Sequence, residues 1–433
     1  MCCGCGACAY INPRDIEMVD TLDFGRRPRF KSGAPCETES REAMRVCPGI
    51  ALEHTFDDGH PDLIPELLPA WGPVRGLWEG HAADAELRFR GSSGGAASAI
   101  ALYCLERANM HGVLHIRARQ DVPYLNHTVL STTRREILEA TGSRYAPASP
   151  CDGLQLIEDA PGPCVFIGKP CDVAATNRAR AIRPKLDANL GLTIAFFCAG
   201  TPSTRGTLEM IRRMGIADAS DVLDVRYRGM GWPGRATVRF RTVTGDEART
   251  LSYEESWGEI LQVHRAWRCY VCADHTGEFA DIAVGDPWYR PIGDGEPGRS
   301  LVLARTEHGR NIVREALAAG YLSLTGVGPD ILIKSQPNLL KTRSAVWGRI
   351  AVCRLMGAAA PHYRRMHILR CWWSVLNIKE KARSLYGTVR RVLRKNLRHR
   401  VAILPFEPPA RSRPENVARP AAENSLGTAP NLR

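Results

Sequence analysis

Fifteen cysteines, most of them in groups, constrain the folding of this 433-residue chain more than any other feature. The first group has three cysteines at two-residue spacing and a distant fourth that precedes a proline: Cys2, Cys5, Cys8 and Cys47. Four thiolates in this arrangement are typical of one 4Fe–4S cluster. A structural zinc site is the alternative, because tetrahedral thiolate sets also bind zinc. Cys3 is an alternative to Cys2 as a ligand.

The other cysteines near the N-terminus do not complete a second cluster of this kind. Asn12 stands where the run would carry its next cysteine, and Cys36 has no neighbouring cysteines. One cluster is therefore expected in this segment. Five isolated cysteines are expected to be buried and inert: Cys104, Cys151, Cys164, Cys353 and Cys371.

The composition predicts a globular protein of two or three domains, with 44% hydrophobic and 24% charged residues. No apolar run approaches the roughly 20 residues that a membrane-spanning helix needs, and no secretory signal follows Met1. We therefore expect a cytoplasmic location, where thiols stay reduced. In that compartment the cysteines are not expected to form a disulfide framework.

Two apolar segments predict buried strands of an α/β sheet, and each leads directly to a cysteine. Residues 164–168 precede Lys169-Pro170-Cys171, and residues 192–197 precede Cys198. Because ligands of α/β folds bind at the carboxyl edge of the sheet, these cysteines suggest a site at that edge. Two buried core cysteines are the alternative.

Two loops of small residues lie near these strands in the sequence. Residues 92–97 open a predicted helix, whose first backbone N–H groups can bind a phosphate, although an ordinary helix start has the same pattern. Residues 141–147 combine small residues with Arg144 and Tyr145. The later pair Cys269-x2-Cys272 needs two further thiolates to complete a metal site.

In chain order, these motifs resemble the beta subunits of the coenzyme F420 (deazaflavin)-reducing hydrogenases and formate dehydrogenases, a family that also includes 7-hydroxymethyl chlorophyll a reductase. The resemblance covers roughly residues 1 to 335. Its motifs are the N-terminal cysteine run, Ser93-Gly94-Gly95, Gly142-Ser143-Arg144-Tyr145, Gly168-Lys169-Pro170-Cys171, Phe197-Cys198-x-Gly200, Cys269-x2-Cys272-x-Asp274 and Ala280-Asp281-Ile282-x2-Gly285-Asp286. No single motif is decisive, but their ordered combination is specific.

The resemblance implies an iron–sulfur flavoprotein that holds FAD and one or more 4Fe–4S clusters. It assigns a second cluster, near the flavin, to Cys171, Cys198, Cys269 and Cys272. It assigns the cofactor contacts to Ser93, Gly94, Gly95, Ser143, Arg144, Tyr145, Gly168 and Lys169. In this assignment Arg144 faces the negative charge of the reduced flavin ring. Asp281 and Asp286 either cap a turn or contact the ligand.

A basic segment lies outside the resemblance. Residues 341–400 hold 16 Lys or Arg and one acid, Glu380, in a chain whose net charge is +12. Apolar residues from Ile378 to Leu397 recur at helical spacing, which predicts a basic amphipathic helix. Such a helix suits an anionic membrane surface, and packing on the mildly acidic body of the chain is the alternative. Nucleic-acid binding is not expected, because no recognition motif accompanies the charge.

The sequence thus predicts an α/β (α+β) fold with five regions. They are a ferredoxin-like 4Fe–4S segment (1–70), the N-terminal and C-terminal parts of a flavin-binding hydrogenase/dehydrogenase beta subunit domain (71–205 and 206–335), a basic amphipathic helical region (341–400) and a disordered tail (401–433).

The leading hypothesis is an FAD- and iron–sulfur-dependent oxidoreductase. Electrons from a ferredoxin-like donor or a partner redox subunit would reach FAD through the clusters, and the flavin would exchange hydride with a small organic substrate. No proton donor is assigned, and His127 and Tyr145 are the nearest candidates. The alternative is a non-catalytic electron-transfer or scaffold subunit of a membrane-associated assembly, for example in polysaccharide biosynthesis. The expected location is cytoplasmic, with a peripheral position at the inner face of the membrane as an alternative.

Overall fold

The computed structural model describes residues 1–31, 37–57, 59–293 and 295–409. Cys36 and residues 410–433 of the predicted tail lie outside the described residues. In chain order, the strands are β1 (Ile16–Thr21), β2 (Gly25–Phe30), β3 (Ala51–Glu53), β4 (Gly76–Ala82), β5 (Gly112–Ala118), β6 (Asn126–Ser131), β7 (Cys164–Gly168), β8 (Leu190–Phe196), β9 (Val222–Arg226), β10 (Ala236–Thr242), β11 (Gly245–Leu251), β12 (Ile282–Gly285), β13 (Ser300–Ala304), β14 (Leu322–Gly326) and β15 (His362–Arg364).

The helices alternate with the strands through most of the chain. They are α1 (Ala7–Ile11), α2 (Glu37–Val46), α3 (Leu68–Trp71), α4 (Ala85–Arg90), α5 (Ala96–Glu106), α6 (Arg134–Glu139), α7 (Gln155–Glu158), α8 (Pro170–Arg180), α9 (Pro184–Asn189), α10 (Thr204–Arg213), α11 (Trp267–Tyr270), α12 (Glu307–Ala318), α13 (Pro329–Ser335), α14 (Pro337–Ser344), α15 (Val346–Leu355), α16 (Ile368–Ser374) and α17 (Ile378–Arg394). Short 3-10 turns cover Pro150–Gly153, Ala219–Asp221 and Leu261–His264, and a π-helix covers Glu254–Ile260.

Eight strands form one mixed sheet in the order β14-β4-β13-β12-β8-β7-β5-β6. The strands β5, β7, β8 and β12 run parallel to one another, and the other neighbouring pairs are antiparallel. Every residue of β7 is buried, as expected for a strand that is covered on both faces. The carboxyl ends of the four parallel strands therefore meet at one edge. The predicted mixed α/β class is confirmed.

Side chains alternate between the two faces of this sheet and build a hydrophobic core on each face. Phe166 and Ala195 belong to the core that also contains α8 and the N-terminal segment. Val165 and Ile194 belong to the opposite core, with α5 and α12. The cysteine-rich N-terminus is thus packed on the same face of the sheet as α8, the helix that carries Cys171.

A second, three-stranded antiparallel sheet, in the order β11-β10-β9, has its own hydrophobic core. This core contains Val238 of β10, Met210 of α10 and Tyr227, which follows β9. Tyr145 and Trp257 pack against it. The smaller sheet therefore reaches the loops at the carboxyl edge of the main sheet.

The basic C-terminal segment is joined to the rest of the molecule by buried contacts. Strand β15 pairs with β3, and Arg343 of α14 forms a buried ion pair with Glu278. Arg343 also donates hydrogen bonds to the backbone oxygens of Ala273 and Met366. These contacts fix the start of the basic segment on the body of the protein.

Helix α17 buries a different face from the one that its apolar spacing suggests. Ser384, Thr388 and Val392 are buried, whereas Ile378 and Tyr386 of the apolar stripe are exposed. A Cβ on Gly348 of α15 would lie 2.7 Å from the Ser384 hydroxyl oxygen, so small side chains let these two helices approach closely. Leu385, Val389 and Leu397 of the same stripe are half-buried, so α17 packs on the body while part of its apolar stripe stays exposed. Within the described residues, no helix is long and apolar enough to cross a membrane.

Candidate functional site

A cavity of about 300 Å³ opens at the carboxyl edge of the main sheet. Residues at or near the ends of all four parallel strands line it: Ile116, Gly168, Phe196 and Gly285. Seven of the eight predicted cofactor contacts also line it: Ser93, Gly95, Ser143, Arg144, Tyr145, Gly168 and Lys169. The structure thus brings the predicted loops together where α/β folds bind their ligands.

The turn of small residues at the start of α5 lines one side of this cavity. Gly95 has a φ of +72°, and a Cβ there would lie 2.6 Å from the carbonyl oxygen of Leu87. No side chain caps the helix, and the first-turn residues Ala96, Ala97 and Ser98 line the cavity. First-turn N–H groups have no acceptor within their helix, so this end of α5 can bind an anion such as a phosphate.

Gly94 is the one predicted contact that does not line the cavity. Its N–H donates to the Ser300 hydroxyl at 2.9 Å, and a Cβ there would lie 2.8 Å from the carbonyl oxygen of Gly80. Gly94 therefore packs the turn closely against β4 and β13. The two predicted loops are joined directly, since the Ser143 N–H donates to the Ser92 hydroxyl at 2.5 Å.

The Arg144 guanidinium, which lines the cavity, is also held by hydrogen bonds to the protein. Its nitrogens donate to the Asn126 side-chain oxygen at 2.8 Å and to the carbonyls of Val225 and Pro123, each at 2.6 Å. It also lies over the Tyr227 ring, 5.3 Å from the centroid. These contacts tie the loop to β9 of the smaller sheet and to the start of β6 in the main sheet. The pairing of Arg144 with a charged flavin ring stays a prediction.

A different arginine, Arg228, lines the cavity and was missed by the sequence analysis. It donates two hydrogen bonds to Asp286, at 2.8 and 3.0 Å, and is almost fully buried. Its guanidinium lies over Tyr253 and Trp288, at 4.9 and 5.5 Å from the ring centroids. Asp286 thus positions Arg228, while Asp281 accepts hydrogen bonds from the backbone and hydroxyl of Thr193 and so has a structural role.

Aromatic rings around this ion pair form one wall of the cavity. Trp288 stacks on Tyr253 and on Trp232, with centroid distances of 5.4 and 5.0 Å. Tyr145 contacts Trp257 at 4.8 Å. Flat apolar rings with polar edges offer a surface to a planar ligand. No local spacing could have revealed this wall, because its members come from separate segments of the chain.

The two candidate proton donors are in different places. Tyr145 lines the cavity, its hydroxyl accepts a hydrogen bond from Arg228 at 3.2 Å, and burial raises its pKa. His127 instead lines a separate surface cavity with Asp20 and Arg119. His127 is therefore removed from the candidates for this site.

Lys169 is the second cation that lines the cavity. Its Nζ lies 2.5 Å from a carboxylate oxygen of Asp172, one turn into α8. Burial lowers the pKa of Lys169, but the Asp172 carboxylate and the Cys171 sulfur outweigh this effect, so the net shift is upward. Lys169 is thus held as a cation at the junction of the cavity and the cysteines.

A second, smaller cavity is surrounded by cysteines. Six thiols from four separate segments line it: Cys2, Cys3, Cys171, Cys198, Cys269 and Cys272. All four cysteines that the resemblance assigns to a second cluster therefore face one space. Cys3 adds a thiol that the sequence placed only in the first group. A hydrogen bond with Cys171 lowers the pKa of Cys3 to about 6.

The thiols of the predicted N-terminal set also influence one another. Burial and the neighbouring thiols Cys5, Cys2 and Cys47 raise the pKa of Cys8. Burial and the thiols of Cys5, Cys3 and Cys2 raise the pKa of Cys47 to about 12. Thiols that oppose one another's ionisation lose their protons together when a metal binds among them. Cys151, expected to be inert, hydrogen-bonds with Cys5.

The thiols line the cavity from separate segments, and two of their sulfurs accept backbone hydrogen bonds. Among the described residues, no group of three or more His, Cys, Asp or Glu could hold a metal ion. A 4Fe–4S cluster takes one thiolate for each iron, so its ligands need not converge on a single point. Backbone N–H groups of Gly4 and Thr201 donate to the sulfurs of Cys2 and Cys269, at 3.3 and 3.4 Å. Such N–H to sulfur bonds are known to tune clusters.

Arg268 places a buried positive charge beside the thiols. It is 5% exposed, and its Nη2 donates to the carbonyl oxygen of Pro48 at 3.1 Å. Its Nε and Nη1 are buried and have no hydrogen-bond acceptor among the described residues. Burial lowers the pKa of Arg268, but Cys3 and other thiols of the small cavity raise it more. A buried cation with few acceptors is costly, so this side chain would suit an anionic group in the thiol cavity.

The thiol cavity and the larger cavity share one wall. Five residues line both: Ala148, Cys198, Gly200, Thr201 and Pro202. Cys198 is thus both a predicted cluster ligand and a lining residue of the larger cavity. A group held by the thiols and a ligand in the larger cavity would be separated by this wall alone.

Comparisons with known proteins match most of the central part of this chain to one family. Two family models describe the beta subunit of coenzyme F420 hydrogenase/dehydrogenase, one for its N-terminal part and one for its C terminus. The N-terminal model matches residues 77–155 of this chain, and the model of the C terminus matches residues 163–329. Together they cover nearly all of the main sheet, from β4 to β14. The strand-end residues that line the larger cavity lie within the matched segments.

Individual relatives are distant but consistent. The chain is 24% identical over 267 residues to F420-dependent formate dehydrogenase 1 subunit beta of Methanococcus maripaludis, a match that covers 60% of this chain and 65% of that protein. It therefore spans just under two thirds of that relative. It is 25% identical over 260 residues to coenzyme F420 hydrogenase subunit beta of Methanococcus voltae, covering 57% of this chain and 82% of that protein.

A solved structure has the same fold. One chain of the F420-reducing NiFe hydrogenase complex from Methanosarcina barkeri superposes with a TM-score of 0.51 at 22% sequence identity. The match covers 65% of this chain and 94% of that chain.

Proposed function

Because the chain belongs to the coenzyme F420 hydrogenase/dehydrogenase beta subunit family, we propose that it is an FAD- and iron–sulfur-dependent oxidoreductase. The observation that supports this most strongly is the wall shared by the thiol cavity and the larger cavity, with Cys198 in it. Flavins exchange hydride with organic substrates, and thiolate-held clusters transfer single electrons. Adjacent sites for the two groups suit a protein that couples these two kinds of transfer.

The larger cavity offers a pair of surfaces that suit FAD. The uncapped start of α5, at Ala96 to Ser98, would bind the pyrophosphate. The wall of Tyr253, Trp257 and Trp288 would bind flat rings and exclude water, and Arg228 would hold that wall in place through Asp286. Lys169 would supply positive charge near the flavin, alongside the predicted pairing with Arg144.

The thiols suit two clusters. Cys171, Cys198, Cys269 and Cys272 would hold one cluster beside the flavin, and Cys2, Cys5, Cys8 and Cys47 would hold the other. Cys3 lies against Cys171 and is an alternative ligand for the cluster beside the flavin. Arg268 would offset the negative charge of both sets. The five-region division of the chain is part of this proposal. In it, the ferredoxin-like segment precedes the two parts of the flavin-binding domain.

The partners in this proposal are a ferredoxin-like donor or a partner redox subunit, and a small organic substrate. The relatives are named as beta subunits of hydrogenases and formate dehydrogenases, so a partner subunit is a reasonable electron source. A cytoplasmic location stays a prediction.

Anaerobic purification followed by visible spectroscopy and by iron, sulfide and flavin analysis tests the proposal. We expect about one FAD and up to eight irons for each chain. Cys198→Ala should lose the cluster beside the flavin, whereas Cys104→Ala, a matched change in the core formed by α5, should keep the full iron content. A colourless protein that contains zinc and no flavin would refute the proposal. Bound cofactors that no donor reduces would instead favour a scaffold subunit.

A further inference from the structure

The last two helices carry a row of exposed apolar side chains on a strongly basic segment. Trp373, Ile378, Tyr386 and Leu393 are 71%, 82%, 72% and 59% exposed. They lie on α16 and α17, and none of them lines the thiol cavity or the larger cavity. Large apolar side chains that are exposed in a row indicate an interaction surface rather than part of the core.

Helical geometry divides α17 into three faces. Ser384, Thr388 and Val392 recur every four residues and form the buried face. Ile378, Ala382, Tyr386 and Leu393 follow helical spacing on an adjacent, exposed face. A third, basic face beside the apolar one consists of exposed residues: Lys379, Arg383, Arg390 and Arg394. A helix of this design presents apolar and cationic groups side by side.

We propose that α17, together with Trp373, docks on the surface of an anionic lipid bilayer. The apolar stripe would enter the boundary between headgroups and acyl chains, and the basic face would contact anionic headgroups. An acidic protein or a nucleic acid would account for the cations but leave the apolar row unexplained. Charge complementarity combined with apolar side chains that are exposed within the described part of the chain therefore favours a lipid surface.

A neighbouring groove extends the same surface. It lies between α15 and α16 and is lined by Trp347, Leu369 and Trp373, among others, with Arg354 and Arg370 also lining it. Its composition repeats the pattern of α17, with aromatic and aliphatic side chains next to arginines. Trp373 connects the groove to the exposed row, so the docking surface covers both helices.

Vesicle co-sedimentation of the full chain tests the apolar part of this proposal. We expect binding to vesicles that contain phosphatidylglycerol and little binding to pure phosphatidylcholine. The double variant Ile378→Asp/Tyr386→Asp should bind at least about tenfold more weakly, because each change removes a group that would enter the lipid. The matched control Val243→Asp/Val263→Asp alters two exposed apolar residues elsewhere and should bind as the unchanged protein.

Charge reversal tests the electrostatic part. Arg390→Glu/Arg394→Glu should weaken binding by about tenfold or more, and added salt should weaken binding by the unchanged protein. Arg239→Glu/Arg241→Glu, on the smaller sheet, is the matched control. Unchanged circular dichroism and flavin content would show that each variant is folded and that the redox site, on which this proposal does not depend, is intact.

Two results would overturn the proposal. One is equal binding by the unchanged chain and both α17 variants. The other is loss of binding with the charge variant but not with the apolar variant, which would mean that the apolar stripe does not enter the lipid. Weakening by both variants, with both controls unaffected, is the result that supports docking on a lipid surface.

Discussion

Two buried arginines, Arg343 and Arg268, have opposite surroundings. Arg343 lies in the C-terminal helices and forms an ion pair with Glu278, whose side chain is 0% exposed. Arg268 lies beside the thiol cavity, and among the described residues its hydrogen-bond acceptor is a backbone carbonyl, that of Pro48. A buried cation with a carboxylate partner is explained by the protein itself, whereas one without such a partner indicates a ligand.

The comparison shows how structural and functional charges differ in this protein. The partner of Arg343 is part of the chain, so its removal should affect folding. The expected partner of Arg268 is an anionic cluster held by the thiols, so its removal should affect that cluster. Arg228 is intermediate, because Asp286 is its partner and both line the larger cavity. The loss of stability on substitution should therefore decrease from Arg343 through Arg228 to Arg268.

The largest effect is expected from Arg343→Met. The substitution leaves the buried Glu278 carboxylate without its arginine and should destabilise the protein by about 3–5 kcal/mol. Lys341→Met is the matched control in the same helix, because Lys341 is 61% exposed and pairs with Glu380 at the surface. It should cost less than about 1 kcal/mol. Urea unfolding measures both, and equal effects would contradict the structural role of Arg343.

Arg228→Met should have the next largest effect. It leaves Asp286 with the Trp232 indole N–H, at 2.8 Å, as a remaining donor and removes the guanidinium over Tyr253 and Trp288. We expect a loss of about 2–3 kcal/mol in the free energy of unfolding, less than for Arg343 because Asp286 is more exposed than Glu278. Flavin retention should fall as well. Arg235→Met, at an exposed position, is the control for both measurements.

These pairs also show what the sequence can and cannot predict. The thiol groups, the strand-end positions and the small-residue turn at α5 are contiguous in sequence, and their spacing has a direct chemical meaning. Arg228 with Asp286, Arg343 with Glu278 and Cys3 with Cys171 join distant segments that only tertiary packing brings together. The helical period of α17 was readable, but the buried face depends on its close approach to Gly348. Arg144 illustrates the same limit, since its motif was recognised while its acceptors Asn126, Pro123 and Val225 come from other segments of the chain.

Arg268→Met should change the redox site more than the fold. In cluster-free protein it should cost less than about 1 kcal/mol, because the guanidinium donates few hydrogen bonds. In cluster-loaded protein, loss of the positive charge should lower the midpoint potential by roughly 40–90 mV, the equivalent of about 1–2 kcal/mol for one electron. A redox titration followed by electron paramagnetic resonance measures the shift. Arg268→Lys keeps the charge and should restore most of the potential. A loss of stability as large as that of Arg343→Met, without a change in midpoint potential, would mean that Arg268 has the same structural role as Arg343.

The smallest effect concerns acid stability. Burial raises the pKa of Glu278, but Arg343 and His54 outweigh it and lower that pKa to about 2. A carboxylate with a depressed pKa stabilises the fold above its unfolded pKa, about 4.3, and this contribution disappears as the pH falls towards 2. The stability difference between the unchanged protein and Glu278→Gln should therefore narrow by about 1 kcal/mol between pH 6 and pH 3.5. Both proteins carry Asp274→Asn for this measurement, because burial and the Glu278 charge raise the pKa of Asp274 to about 6 and its titration would otherwise differ between them. Urea unfolding at each pH measures it, and a constant difference would mean that Arg343 does not hold Glu278 ionised.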